Sequence, residues 1–191
     1  MHNAYILLEV DVSSWTCSMN EERTLNLLGA LALSIGDAFN SVVAVNAGYG
    51  GEAPAALVTL GADPGLSINA LRQILNLSHP GTVRLIDRLA SQGLVERKSG
   101  ADSRTLALFL TDAGYERRQA ILAERRQQLQ LAMSSLTQED RKQLTKLLEK
   151  MLTAMTTSEL RNFAICRLCE EEVCPADCCP VEQKYRQMLK S

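Results

Sequence analysis

The sequence predicts a mainly α protein organised around a winged helix-turn-helix, with a small β-hairpin wing and long helices that form a dimerisation region. Three observations lead there. Two short amphipathic helical patterns, opening at Ser67 and at Ser78, follow one another across Asn76 and Leu77. Two β-prone runs, "LVERK" and "TLALFL", come next, separated by the polar, glycine-containing "SGADSR". Leucine-rich helical patterns flank this block on both sides. A helix-turn-helix followed at once by a hairpin is more specific than either piece alone.

The elements follow in chain order. The stretch "AYILLEV" near the start reads equally as a short strand or a helix start, and Cys17 stands alone there. From Glu22 to about Phe39 a helix is expected, with Leu25, Leu28, Ala32 and Ile35 on one face. The loop "NAGYGGEAP" precedes a second helix, "APAALVTLGA", which stops at "DPG". Ser67 is an N-cap candidate for a helix with Leu71, Ile74 and Leu75 inward. Ser78 caps the next, with Val83, Ile86 and Leu89 expected inward and Gly93 closing it. After the hairpin, Thr111 and Asp112 open a long helix. Thr137 and Asp140 then form a capping-box pattern before a stripe of Leu144, Leu147, Leu148, Met151, Leu152 and Met155. That stripe needs a partner surface. The organisation predicted is an N-terminal dimerisation segment (1–60), a winged helix-turn-helix (61–112), dimerisation helices (113–160) and a cysteine-rich tail (161–191).

Composition narrows the function. The 191 residues are 46% hydrophobic and 22% charged, which excludes general disorder. With 20 basic against 22 acidic residues the net charge is −2, so any nucleic-acid surface must be a local patch. No apolar run approaches a membrane span, and the N-terminus lacks a basic segment before a long apolar core. A cytoplasmic protein without a membrane is expected, with its thiols reduced.

The block "LSHPGTVRLIDRLASQGLVERK", the wing bearing Asp102, Ser103 and Arg104, and "LALFLTDAG" leading into a long helix together resemble a MarR-family transcription regulator. The resemblance spans roughly residues 21 to 155. It implies a homodimer held by its N- and C-terminal helices, with one winged helix on each side binding a pseudo-palindromic DNA operator. The residues themselves point the same way. Ser78, His79, Thr82, Arg84 and Arg88 on the second helix of the motif are candidates for base edges and phosphates of duplex DNA in the major groove. Arg97, Lys98 and Arg104 extend the basic surface along the wing, with Arg104 expected in a minor groove and Asp102 bracing it. A winged helix that binds protein instead is the competing use.

The tail concentrates chemistry. Five of the six cysteines fall between 166 and 179, in the order Cys166-x2-Cys169-x4-Cys174-x4-Cys179-Pro180, with Cys178 as an alternate. Two separated knuckles, the usual plan of a four-cysteine zinc site, do not fit in so few residues. The compact run ending in Cys-Pro is closer to ferredoxin-like spacing, so a 4Fe–4S cluster is the expected cofactor and zinc the alternative. A metal-free thiol/disulfide switch also fits. No nucleotide-binding glycine loop and no Ser-His-Asp or paired-carboxylate pattern supports an enzyme. The expectation is a redox- or iron-responsive DNA-binding repressor in which the cluster adjusts dimer geometry. The alternatives are a regulator with structural zinc that answers a small organic ligand, and an electron carrier.

Overall fold

The computed structural model describes residues 20–47, 51–99 and 106–190. In chain order these residues form α1 (Glu21–Ala47), α2 (Ala53–Ala62), α3 (Ile68–Leu75), α4 (His79–Ser91), β1 (Val95–Ser99), β2 (Leu106–Leu110), α5 (Asp112–Ala132), α6 (Gln138–Met155), α7 (Glu159–Cys166) and α8 (Pro180–Met188). Helix dominates, and the one small sheet is the wing, as expected. Cys17, Asp102 and Arg104 lie outside the described residues.

The core is built on α2. Its residues from Ala53 to Leu60 are all buried, and it packs against α5, β2 and α3. A helix apolar around its whole circumference can only be an interior element. Leu57 and Leu60 of α2 meet Leu71 of α3, Ile86 and Leu89 of α4 and Leu108 of β2 in one continuous cluster. Helix α1 runs beyond the expected end near Phe39 to Ala47. Nothing in "SVVAVNA" breaks a helix before Gly48.

Side-chain caps set the helix-turn-helix. Ser67 Oγ accepts from the Ala70 amide at 3.1 Å, and Ser78 Oγ from the Gly81 amide at 3.2 Å. Between them Asn76 adopts the left-handed conformation (φ 52°, ψ 43°), and the Leu77 amide returns to the Arg72 carbonyl at 3.0 Å. Asparagine is among the few non-glycine residues that enter this region at low cost. The inward face of α4 differs from the expected Val83, Ile86 and Leu89. Thr82, Leu85, Ile86 and Leu89 are buried, while Val83 is half-buried. Steps of three residues drift around a helix, whereas i, i+3, i+4, i+7 keeps one face.

In the wing, β1 and β2 pair antiparallel from Val95↔Leu110 to Ser99↔Leu106. The Leu108 amide donates to the Leu66 carbonyl at 3.0 Å, which ties the hairpin to the entry of α3. At the far end of β2, Thr111 Oγ1 accepts from the Gly114 amide at 3.1 Å and donates to the Gly93 carbonyl at 2.6 Å. Gly114 sits where a side chain would run into the Leu94 carbonyl, so only glycine lets α5 start this close to the wing.

Helix α5 packs on α1 and α2 and buries Ile121 and Leu122. The expected capping box is present: Thr137 Oγ1 accepts from the Asp140 amide, and Asp140 accepts from the Thr137 amide at 3.0 Å. None of the side chains of α6 is buried, and its stripe of Leu147, Leu148, Met151 and Met155 is exposed. Beyond Met155 the chain turns into α7, which packs on α3, and α8, which packs on α6 and α7.

Substitution of Gly114 by alanine is expected to destabilise the chain by roughly 1–3 kcal/mol through overpacking against Leu94. Urea unfolding with an unchanged slope and a lower midpoint would register it.

Candidate functional site

The exposed side of α4 carries Ser78, His79, Arg84, Asp87 and Arg88, with β1 of the wing beside it. Arg84 and Arg88 have no ion-pair partner among the described residues and are free to meet an external anion. The other cations are engaged. Arg97 Nη2 reaches Asp87 Oδ1 at 2.5 Å, an exposed pair that ties the wing to α4. Lys98 Nζ lies 2.6 Å from Glu96 Oε1 and 5.0 Å from the centre of the Phe109 ring.

Two of the sequence-predicted contacts change role. Thr82 is fully buried, and its hydroxyl donates to the Ser78 carbonyl at 3.1 Å, so it is a core residue and not a groove contact. Threonine on an otherwise apolar face satisfies its own hydroxyl inside the helix. Ser78 remains exposed, but its Oγ is committed to the cap. Pro80 has no N–H and that of Gly81 is taken, which leaves the His79 amide in the first turn to face a phosphate.

The second cluster lies in the tail. Cys166 ends α7, Cys169 follows a tight turn in which its amide donates to the Cys166 carbonyl at 2.8 Å, and Cys179 is the N-cap of α8. Cys166, Cys169, Cys174 and Cys179 line one cavity of about 290 Å³ together with Asn162, Phe163 and Glu182. Cys179 is buried, whereas Cys178 is exposed and absent from the lining, which favours Cys179 of the two neighbours. The thiols interact around the cavity. Cys166 is within hydrogen-bonding reach of Cys169 and of Cys179, and Cys174 of Cys179.

These contacts split the thiols electrostatically. A hydrogen bond from Cys166 pulls Cys169 down to about 6 against the effect of burial, with Arg125 adding attraction. The same pairing, reinforced by burial, holds Cys166 far above the ordinary thiol range. Burial, with Cys179 nearby, pushes Cys174 up to about 11. Among the described residues no group of three or more His, Cys, Asp or Glu side chains stands placed to hold a metal ion; the four thiols line the walls of an open cavity.

Residues 48–105 match the MarR family model, a span that runs from the entry of α2 to the wing. They are a MarR-family domain. Solved structures show the same fold. A MarR family protein from Bacillus stearothermophilus superposes with a TM-score of 0.64 at 24% identity, over 73% of this chain and 100% of that one. The YusO protein from Bacillus subtilis gives 0.61 at 22% identity, covering 70% and 94%. The transcriptional regulator SlyA gives 0.54 at 20% identity, covering 67% and 90%. Among curated proteins, none matches the sequence.

The matched span contains α4 and β1 and stops just before β2, while the four-thiol cavity lies outside it. Sequence reasoning located the thiols but missed the Arg97–Asp87 tie, because Asp87 and Arg97 are ten residues apart on different elements. It also missed the residues that surround the thiols. Asn162, with 4% of its surface exposed, donates to Glu182 Oε2 at 3.2 Å beside the cavity. A lone asparagine and a glutamate twenty residues apart give no spacing signal.

A group whose pKa falls to about 6 is a thiolate at pH 7 and is protonated as pH drops through 6. Iodoacetamide at pH 7 is therefore expected to label Cys169 of the reduced, metal-free protein before Cys174, and the Cys169 rate should fall below pH 6. Peptide mass spectrometry reads both; faster labelling of Cys174 would contradict the assignment.

Proposed function

We propose that the chain is a homodimeric, sequence-specific DNA-binding transcription regulator, acting as a repressor, whose grip on a pseudo-palindromic operator is modulated by a four-cysteine 4Fe–4S cluster in the tail. The convergence of Cys166, Cys169, Cys174 and Cys179 on one cavity is the observation that carries it. Two other features complete the reading. Arg84 and Arg88 stand uncommitted on the exposed face of α4 in a MarR-family domain. Leucines 25, 28 and 31 of α1 and the α6 stripe are open apolar surface of the kind a second copy covers.

The donor set fits the cluster. Four thiolates from one short segment suit iron–sulfur ligation. Bound there, such a cluster supplies one-electron redox chemistry and sensitivity to oxidants and iron supply. The protein's residues do the rest: Cys179 presents its sulfur at the positive end of α8, and Arg125 lowers the cost of negative charge at Cys169.

The test begins with anaerobic purification. Four irons and four sulfides per chain with a visible charge-transfer band are expected; stoichiometric zinc or a bare tail would overturn the cluster. Cys169→Ala is expected to lose the iron while Cys178→Ala retains it. A duplex selected by the protein from a random-sequence pool should be pseudo-palindromic. Arg84→Ala and Arg88→Ala should each weaken binding to that duplex by roughly 5- to 100-fold, with the dimer intact by sedimentation. Full affinity in both variants would remove α4 from the DNA face.

A further inference from the structure

The thiol cavity sits between two parts of the molecule that also meet where α7 packs on α8. On one side, residues 166–170 are fastened to the winged helix-turn-helix. Helix α7, which ends at Cys166, packs on α3. The Thr59 hydroxyl of α2 donates to the Arg167 carbonyl at 3.5 Å, and Leu168 packs against the buried cluster of the DNA-binding domain. Next to Cys169, Glu170 receives both hydrogen bonds from Arg126 Nη2 of α5, at 2.6 and 2.7 Å. On the other side, Cys179 opens α8, whose Val181 is 1% exposed and which is the chief packing partner of α6 within the chain. Cys174 lies in the loop between the two sides.

We propose that the four-thiol centre is a joint linking the DNA-binding domain directly to the dimerisation helix α6, along the route α3, α7, thiols, α8, α6. This rests on the thiol-held centre proposed above and names its mode of action. A centre ligated by Cys166 and Cys169 on the anchored side, by Cys174 in the loop and by Cys179 on the α8 side closes the joint. Without it, α7 and α8 keep their mutual packing and the Asn162–Glu182 hydrogen bond, but the link through sulfur is gone. The position of α4 relative to α6 then loosens, and in a dimer that position decides whether two reading helices meet successive turns of DNA.

Arg126 is a positioning residue in this scheme: it supplies no ligand itself and fixes the anchored side through Glu170. Arg126 is exposed and Glu170 half-buried at the surface, so the pair's own contribution is modest and substitution spares the fold. This allows a clean test on the full-length dimer. Hydrogen exchange is compared between cluster-loaded protein and protein stripped with a chelator under argon. Loss of the centre is expected to raise exchange in α8, along α6 and in α3. A rise confined to residues 166–179 would overturn the joint.

The second arm measures affinity for the selected duplex in loaded and stripped forms. Arg126→Glu is expected to keep the iron content and the visible spectrum while shrinking the loaded-to-stripped affinity ratio by roughly two- to fivefold. The double swap Arg126→Glu with Glu170→Arg should restore it. An unchanged ratio in Arg126→Glu, or no recovery in the swap, would refute the joint. Absence of iron in the wild-type protein, or equal affinities of its two forms, would instead sink the proposed function, so the two failures are separable.

Discussion

The constraint on which the rest of the molecule depends is the burial of α2. Eight consecutive residues of this ten-residue helix are removed from solvent, and the side chains of Leu57 and Leu60 are fully enclosed. Each such leucine contributes about 1.5–3 kcal/mol relative to exposure. More important is what it touches. Helices α3 and α5 and strand β2 all pack on it, so the wing and the start of α5 are placed relative to one interior rod, and α4 follows through its packing on α3. Through Thr59 it also meets the turn that carries the first two cysteines of the tail.

Against that interior, the surfaces that do chemistry are thinly held. The face of α4 that looks outward is fixed by Leu85, Ile86 and Leu89 pointing inward, and the wing by its pairing with the backbone at Leu66. The exposed Arg97–Asp87 pair adds orientation more than stability. In the tail, four thiols line the cavity, and among the described residues there the buried side chains are Cys179, Val181 and Asn162. Packing alone does not make such a small lobe rigid. An inorganic centre would contribute there what a hydrophobic core contributes elsewhere.

Local signals were the legible part. Ser67, Ser78, Thr111 and Thr137 cap the helices they were expected to cap, and α2 spans the same ten residues that periodicity and punctuation mark out. Each of these depends on neighbours within four positions, which sequence displays directly. Thr82 was misassigned because its polarity outweighed its place in the helical period; only the buried set Leu85, Ile86 and Leu89 shows that it faces the same way. The four ligand candidates were legible from spacing. Their attachment to α2, α3 and α5 was not, since Arg126 and Glu170 are 44 residues apart and Thr59 and Arg167 are 108.

The open stripe on α6 has a thermodynamic corollary. Leu147, Leu148, Met151 and Met155 find no cover within their own chain among the described residues, and α1 adds five exposed leucines. With a second copy as that cover, folding and association become one equilibrium, and resistance to heat rises with the amount of protein present. A chain of this design then has no fixed melting temperature: dilution by itself softens it, and scarcity in the cell would weaken each molecule as well as reduce their number.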